Sequence, residues 1–426
     1  MKRVCILNVV GLTPRHLRHA PRLSAVGHAR PWVSPVPAVT CPSQATMLTG
    51  KMPRDHGIVG NGWLYRDTGE IRFWQQSRDL IQAEVFYDRY ETAKMFWWFN
   101  QATTARWGAT PKPHYGCDGS KVFDIIDWTG CRLTERLGPF PFFSFWGPAA
   151  GLASSDWIAD ATALVLREKQ PQCTLCYLPH LDYDFQRLPT QDPARVREVD
   201  AAAGRVIDAA KEIGAQVVVV SEYGLTPVHR PIEINRILRR EGFLTVRDGP
   251  FGEMLLPTES RALAVADHQV AHVYVRHEAD REAVRRCLES VEGIDAVVQA
   301  GELALDHQRA GEWVALASPD AWFSYYYWLD DDRAPDFART VDIHRKPGYD
   351  PCELFMTSRL RAGARLLQKK VGMRYKMDVI PLAPQLVRGS HGLAAPTPDD
   401  APLIIGSGEP PDIMTDFPSY IEDLLR

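Results

Sequence analysis

Polar side chains that could do metal or acid–base chemistry follow three apolar runs of the sequence. Asn8 lies near the end of the first run, Asp182 a few residues after the second, and Glu222 directly after the third. Because ligands of an open parallel sheet bind beyond the carboxyl ends of its strands, we expect these residues to converge on one crevice. One polar residue after a strand would be uninformative, but three of them, together with a threonine before a helix signal, indicate a site.

The three apolar runs are predicted to be buried strands. They span residues 4–10, 173–178 and 216–221, and they are rich in β-branched and aliphatic residues. Helical patterns lie between and after them, at residues 42–49, 156–168, 193–213 and 232–240. Strands that are buried on both faces and separated by helices are typical of an α/β fold with a mostly parallel central sheet flanked by helices.

The sequence pattern changes after residue 240. Short β-rich pieces between residues 261 and 330 are mixed with a helical pattern near 279–292, and a core-like strand returns at 402–405. We therefore predict an α/β core formed by residues 1–240 and 385–426. Residues 241–384 are predicted to form an inserted α+β cap or accessory region.

Composition and charge limit the classes of protein to consider. The chain has 426 residues, of which 45% are hydrophobic and 24% are charged, with a formal net charge of −4. These values are ordinary for a globular enzyme and give no basis for binding a nucleic acid polymer. No run of about 18 apolar residues predicts a membrane span. The first apolar run is too short for a signal peptide, so we predict a cytoplasmic protein.

The two cysteines of a C-x-x-C pattern lie inside the second apolar run. Cys173 and Cys176 have no second pair at zinc-finger spacing, so core packing is the favoured interpretation over metal or redox chemistry. The sequence does not indicate an oligomeric state.

One long segment resembles a known family. Residues 35–61, PVPAVTCPSQATMLTGKMPRDHGIVGN, are similar to the nucleophile segment of the nucleotide pyrophosphatase/phosphodiesterase branch of the alkaline phosphatase superfamily. That segment has a proline-rich lead, a threonine nucleophile and a T-G-x-x-P-x-x-H-G-I run before an asparagine. The resemblance implies an alkaline phosphatase-like fold, Thr40 as the nucleophile and Asn61 as a ligand of a phosphoryl oxygen.

Thr40 has two interpretations from its local sequence. It precedes Pro42, and proline is typical of the first turn of a helix, so Thr40 would lie where backbone N–H groups attract an anion. The alternative is that Thr40 only caps the helix. A threonine hydroxyl is a weak nucleophile and needs a base or a metal ion to activate it.

The resemblance also implies two metal ions, usually zinc, that bridge the transferred phosphoryl group. Carried over residue by residue, it implies metal ligands at Asn8, Asp182, Glu222 and His391, and places Gln186 and Tyr223 where the family has histidines. Asparagine, glutamine and tyrosine bind zinc poorly, whereas amide and carboxylate oxygens suit harder cations. We therefore predict a divalent metal ion, zinc by resemblance, with magnesium or manganese as the alternatives.

Three histidines outside these motifs could complete such a site. His180 and Asp184 flank Asp182, and on an extended segment all three would share one face. His268 and His344 lie in segments rich in other ligand-type residues. We expect at least one of the three histidines in the crevice, although each alone is more often an ordinary polar group.

Two further features could bind the body of a substrate. Arg345 and Lys346 could pair with a second phosphate or a carboxylate. The aromatic runs at residues 96–99 and 322–328 could pack in the core or form a pocket wall that stacks on a ring.

Together these residues predict a metal-assisted hydrolase of a phosphate ester. Its substrate would be a phosphodiester or pyrophosphate of a small organic molecule, and Thr40 would carry the phosphoryl group before water removes it. Asn8, Gln186 and Tyr223 favour the alternative of a catalytically retired scaffold that binds a phosphorylated ligand. Another phosphoryl or sulfuryl transfer reaction is the third interpretation.

Overall fold

The chain divides into two compact units in a computed structural model that describes residues 2–117, 121–373 and 375–426. The first unit comprises Met1–Ile58, Gln76–Leu225 and Ala394–Arg426, and the second comprises Val59–Gln75 and Thr226–Leu393. The predicted ranges 1–240 and 241–384 include Met1, residues 118–120 and Arg374, which lie outside the described residues. Those boundaries stay a prediction, because compactness does not test which residues fold independently.

The strands of the two larger sheets are numbered in chain order. They are β1 (Arg3–Val9), β2 (His28–Pro31), β3 (Thr92–Met95), β4 (Trp107–Pro111), β5 (Ile125–Asp127), β6 (Cys173–Leu178), β7 (Ala215–Val220), β8 (Ala262–Asp267), β9 (Val270–Val275), β10 (Ile294–Gln299), β11 (Trp313–Ala317) and β12 (Leu403–Gly406). The described helices of seven or more residues are α1 (Thr40–Thr49), α2 (Leu152–Lys169), α3 (His180–Arg187), α4 (Pro193–Glu212), α5 (Ile234–Arg240), α6 (Arg281–Glu289), α7 (Arg359–Lys370) and α8 (Phe417–Leu425).

The sheet of the first unit has the strand order β2-β12-β7-β1-β6-β3-β4-β5. Strands β7, β1, β6, β3 and β4 run parallel, while β12, β2 and β5 pair antiparallel at the two ends. The predicted α/β class with a mostly parallel centre is confirmed. The prediction succeeds because β1 and β6 are apolar and buried along almost their whole length, as strands covered on both faces must be.

The central strand β1 brings Asn8 to the carboxyl edge of the sheet. In the strand register Asn8 lies beside Tyr177 of β6 and Val220 of β7. The residues that follow β6 and β7 therefore begin at the same edge as Asn8. The candidate residues of the first unit that follow strands in the sequence therefore lie at one edge of the sheet.

Helix boundaries differ from the predicted ones by a few residues. α1 begins at Thr40 rather than at residue 42, and α6 ends at Glu289 rather than at 292. Cys173 and Cys176 are buried thiols in β6, and burial raises the pKa of each to about 12. Both values fit the packing interpretation, because a thiol that stays protonated is a poor metal ligand and a poor nucleophile.

The second unit is of the α+β type. Its four-stranded antiparallel sheet has the order β8-β9-β11-β10, and shorter ladders pair Gly62–Tyr65 with Glu70–Phe73 and Val246–Gly249 with Gly252–Leu255. The aromatic side chains of residues 325–328 are almost completely buried and contact one another, with Tyr326 and Trp328 ring centroids 4.4 Å apart. Core packing therefore accounts for this run. Across the described residues, none of the helices has the length and apolar character needed to cross a bilayer.

Candidate active site

Thr40 is the first residue of α1, and its hydroxyl contacts the phenol of Tyr223. The Thr40 Oγ1 to Tyr223 Oη distance is 3.0 Å, and both side chains are buried. The N-cap of α1 is Val39, and no side chain caps the helix. The capping interpretation of Thr40 is therefore wrong, since its hydroxyl is directed to Tyr223 and not to the backbone of the first turn.

Glu222 lies directly after β7 and is surrounded by amide donors. Asn8 Nδ2 and Gln44 Nε2 both donate to Glu222 Oε1, at 2.5 Å and 2.6 Å. The nearby Thr40 hydroxyl also lowers the pKa of this carboxyl group, whose second oxygen, Oε2, is buried without a hydrogen-bond partner among the described residues. Burial raises the pKa of Glu222 to about 8, against the opposing effect of these hydrogen bonds.

Gln44 belongs to this group, although the sequence did not single it out. It follows Thr40 by four residues, so both side chains lie on one face of α1. Its Oε1 accepts a hydrogen bond from the backbone N–H of Trp98 at 2.8 Å, which leaves its amide N–H groups to face Glu222. The spacing from Thr40 is the signal that could have identified it.

Asp182 and Gln186 form a second pair in the first unit. The extended segment expected around Asp182 is wrong, because residues 180–187 form α3. On a helix Asp182 and Gln186 are one turn apart, and Gln186 Nε2 donates to Asp182 Oδ2 at 2.9 Å. Burial raises the pKa of Asp182 to about 7.

The helical geometry also separates the other two members of the expected face. His180 is completely buried, and burial lowers its pKa to about 3, so it is neutral at ordinary pH. Asp184 forms an ion pair with Arg187 at 2.6 Å. Because α3 is a helix, His180, Asp182 and Asp184 do not share one face as they would on a strand.

Asn61 lies in the second unit and is held by Asp267. Asp267 accepts hydrogen bonds from the backbone N–H of Asn61 at 2.8 Å and from Asn61 Nδ2 at 3.0 Å. Burial raises the pKa of Asp267 to about 7. The side chain of Asn61 is fixed by this double contact, a role of Asp267 that the sequence did not reveal because the two residues lie far apart along the chain.

His391 and His268 are also brought together in the second unit. The ring centroids of His268 and His391 are 3.6 Å apart. The ring of Tyr349 also stacks on His268, with ring centroids 3.8 Å apart. Burial and the neighbouring His391 lower the pKa of His268 well below its usual value. His344 lies elsewhere on the unit, exposed, with Nδ1 3.3 Å from the carbonyl oxygen of Phe73.

The two basic residues proposed as substrate ligands differ in their surroundings. Lys346 is 1% exposed, and its Nζ contacts Asp350 at 2.6 Å and Glu353 at 2.7 Å. An ammonium group that is buried against two carboxylates is not available to a substrate phosphate, so that expectation is not supported. Arg345 is exposed and lies 3.5 Å from Asp342, and its role stays a prediction.

The described residues do not fit two zinc ions. Within residues 2–117, 121–373 and 375–426, no group of three or more His, Cys, Asp or Glu side chains is arranged to hold a metal ion. Amide N–H groups of Asn8 and Gln186 point at the carboxylates of Glu222 and Asp182, where zinc ligands would need lone pairs. These residues therefore do not support the zinc expectation, and the magnesium or manganese alternative stays a prediction.

Comparisons with known proteins place this geometry in a family. The family described as type I phosphodiesterase/nucleotide pyrophosphatase matches residues 4–350. No match is found among curated proteins.

Solved structures share the fold over the whole chain. Phosphonoacetate hydrolase from Sinorhizobium meliloti 1021, in complex with phosphonoformate, is 15% identical, with a TM-score of 0.62 and coverage of 100% of this chain and 96% of that chain. Murine ectonucleotide pyrophosphatase/phosphodiesterase 5 is 14% identical, with a TM-score of 0.59 and coverage of 100% and 95%. The predicted enzyme class, a phosphoric ester hydrolase, is confirmed at the level of the family. The chain is a member of the type I phosphodiesterase/nucleotide pyrophosphatase family of the alkaline phosphatase superfamily.

Proposed function

We propose that this protein hydrolyses a phosphodiester or pyrophosphate of a small organic molecule, with Thr40 as the nucleophile. The observation that carries the proposal is the surroundings of the Thr40 hydroxyl. It is buried at the first position of a helix, lies 3.0 Å from the Tyr223 hydroxyl, and is close enough to the carboxyl group of Glu222 to lower its pKa. A nucleophile, a proton acceptor and a hydrogen-bond donor that lie close together are the parts that an activated hydroxyl requires.

The reaction begins with proton transfer from Thr40 to Glu222. As the Thr40 oxygen bonds to phosphorus, the bond to the leaving oxygen breaks and the leaving group departs as an alkoxide or a phosphate. The ionised form of Glu222 is the base, and a pKa of about 8 makes it a stronger base than an ordinary carboxylate. When the Thr40 proton goes to Glu222, the Tyr223 hydroxyl, 3.0 Å away, is the donor that holds the threonine oxygen in place.

The second step releases the phosphoryl group to water. A water molecule attacks phosphorus, the bond to the Thr40 oxygen breaks, and the proton held by Glu222 returns to Thr40. The proton that the attacking water loses passes to solvent, where it balances the leaving group that departed unprotonated in the first step. Backbone N–H groups of the first turn of α1 are suited to hold the non-bridging oxygens in both steps, since the N-terminus of a helix favours an anion. By resemblance, Asn61 is the further candidate for such an oxygen.

The comparisons support the substrate class. The family description names phosphodiesterases and nucleotide pyrophosphatases. A threonine-to-alanine form of the murine structural neighbour is described as inactive and in complex with AMP. The bacterial neighbour is described with phosphonoacetate and phosphonoformate. We therefore favour a small phosphorylated molecule of nucleotide-like size.

The test compares wild type, Thr40→Ala and Thr40→Ser on an aryl phosphodiester, a dinucleotide pyrophosphate and an aryl monophosphate. We expect Thr40→Ala to lower kcat by at least roughly 1,000-fold, because the nucleophile is lost. Thr40→Ser keeps a hydroxyl and should retain part of the activity. Mass spectrometry of a rapidly quenched reaction should find a phosphoryl group on the peptide that contains residue 40. Equal turnover by wild type and Thr40→Ala would exclude Thr40 as the nucleophile.

A retired, ligand-binding scaffold is the second candidate function. The observation in its favour is that Asp182 and Glu222 both face amide N–H donors. It predicts that AMP binds, as measured by calorimetry, while none of the three substrates is hydrolysed with zinc, magnesium, manganese or no added metal. Turnover that Thr40→Ala abolishes would exclude it.

A further inference from the structure

Helix α7 of the second unit contributes almost nothing to the core of that unit. None of its residues is buried. The helix touches a small apolar cluster of Cys352, Val379 and Ile380 only through Ala362, which is partly buried. A surface helix of a globular protein ordinarily turns its apolar stripe toward the core, so the position of the larger apolar residues of α7 needs an explanation.

Ion pairs fix which side of α7 faces the unit. Arg361 and Arg365 both pair with Asp378, with Arg365 Nε 2.8 Å from Asp378 Oδ1. Ser358 accepts a hydrogen bond from the backbone N–H of Arg361 at the start of the helix. Because Ala362 and Arg365 are three residues apart, they share one side of the helix, and that side is the inward one.

The large apolar side chains of α7 lie on its outward side. Leu360 is 88% exposed, Leu367 is 62% exposed and Val371, directly after the helix, is 61% exposed. Their spacing of seven and four residues places them in one row along the helix. Leu366 and Met373 extend the exposed apolar surface on the same segment. Single exposed apolar residues are normal, but a row of them on a helix marks a binding surface.

Positive charge surrounds this apolar row. Among the residues that the structure describes, Arg359, Lys369 and Lys370 have no carboxylate at ion-pair distance, although the chain as a whole has a formal net charge of −4. Asp378, which Arg361 and Arg365 share, is the acidic residue paired with this helix. The surface thus combines apolar side chains with uncompensated cations.

We propose that α7 docks on an anionic lipid surface. Leucine and valine side chains would enter the boundary between headgroups and acyl chains, while arginine and lysine bind lipid phosphates, as in amphipathic helices that lie in the plane of a membrane. A second copy of this chain fits less well, because a symmetric contact through α7 would bring the same cations together. A convex row of side chains also offers no groove for a peptide to enter.

Vesicle co-sedimentation of the full chain tests the proposal. We expect wild type to bind vesicles of phosphatidylcholine with phosphatidylglycerol, to bind phosphatidylcholine vesicles weakly, and to release as salt increases. Leu360→Gln with Leu367→Gln should weaken binding by more than about tenfold, because the inserted apolar area is lost. Arg359→Gln with Lys370→Gln should weaken binding by roughly 30-fold, because the attraction of two cations to the anionic surface is lost.

The matched control changes two exposed apolar residues of the same unit away from α7. Phe251→Gln with Met254→Gln replaces side chains that are 60% and 40% exposed, and it should bind anionic vesicles like wild type. Thermal melting checks that each variant is folded, which the exposure of all six positions favours. Failure of wild type to bind anionic vesicles, equal binding to both vesicle types, or equal loss in the control would overturn the proposal. A leucine variant that changes a dimer into a monomer, without vesicle binding by wild type, would instead identify a second copy as the occupant.

Discussion

At the scale of single residues, the resemblance could identify a candidate site residue but not the side chains that it contacts in the fold. Thr40 and Asn61 are identifiable because residues 35–61 match the family segment without a gap. The contacts of these two residues are with Tyr223 and Asp267, which lie about 180 to 210 positions further along the chain. Such contacts depend on strand order and loop course, and no local pattern of the sequence encodes them.

The residues that stand where the family has histidines form hydrogen bonds with the neighbouring side chains of the site. Gln186 stands one helical turn from Asp182 and donates an N–H, whereas a histidine at that position would present a lone pair. Tyr223 offers a hydroxyl to Thr40 rather than an imidazole nitrogen. By the resemblance, Gln186 and Tyr223 stand at ligand positions of the family, and in the structure each of them forms a hydrogen bond to a neighbouring side chain.

Restoring the two histidines should restore zinc binding. We expect purified wild type to contain well below one zinc ion per chain by elemental analysis, because amide and phenol groups bind zinc poorly. The double variant Gln186→His with Tyr223→His should retain at least one zinc ion per chain after dialysis. Gln186→Ala with Tyr223→Phe is the matched control and should retain none. Stoichiometric zinc in wild type would contradict the interpretation of the donor set.

At the scale of elements, apolar strands could be predicted and the short helix after β6 could not. Strands at residues 173–178 and 216–221 carry long apolar runs, and burial on both faces demands such runs. Residues 180–187 contain four acidic or basic side chains within a short, largely polar segment, so their pattern does not distinguish a helix from an extended segment. That error misplaced His180 and Asp184 relative to Asp182.

Close backbone contact after β7 fixes the loop that carries Glu222 and Tyr223. A Cβ atom on Gly224 would lie 2.0 Å from the carbonyl oxygen of Asp400 and 2.7 Å from Thr13 Cγ2. We expect Gly224→Ala to lower the free energy of unfolding by roughly 1–3 kcal/mol, since the backbone must shift to relieve the clash. Activity should fall as well, because the shifted loop carries the proposed base.

The control for this substitution is Gly363→Ala in α7. A Cβ atom there would meet no described atom within 4 Å, and the residue has a helical environment. Alanine should therefore leave stability unchanged or raise it by about 0.5–1 kcal/mol. Urea denaturation of both variants measures the difference, and similar destabilisation by the two would show that steric crowding at Gly224 is not the cause.

At the scale of the whole molecule, the chain builds each of its two units from separated segments. Val59–Gln75 belongs to the second unit, although its first three residues are the end of the nucleophile segment, residues 35–61. Its hairpin is too short to show a distinctive apolar pattern, and its partners come from residues more than 150 positions later. The sequence could therefore indicate a second region by its change of pattern but could not assign this early segment to it.

Each unit also contains an ionisable side chain whose charged form burial disfavours, and these two should make stability depend on pH in opposite directions. Burial raises the pKa of Asp267 from 3.8 to about 7 and lowers the pKa of Lys94 well below 10.5. Between pH 5 and pH 8 the unfolded Asp267 has lost its proton while the folded one loses it only near pH 7. Folding therefore binds a proton at Asp267, and this contribution to stability falls as pH rises. The unfolded Lys94 is protonated in this range, whereas the lowered pKa favours the neutral amine in the folded protein, so the contribution of Lys94 to stability rises with pH.

Two variants should separate these opposite contributions. The unfolding free energy of Asp267→Asn minus that of wild type should increase by on the order of 2–3 kcal/mol from pH 5 to pH 8, because the variant lacks the contribution that falls with pH. Lys94→Met should lose stability relative to wild type over the same range, since the rising contribution is removed. Urea denaturation at pH 5, 6.5 and 8 gives both differences, and the comparison with wild type cancels the titration of all other groups. A difference that does not change with pH for Asp267→Asn would mean that Asp267 is already ionised in the folded protein, and that it holds Asn61 as a carboxylate throughout.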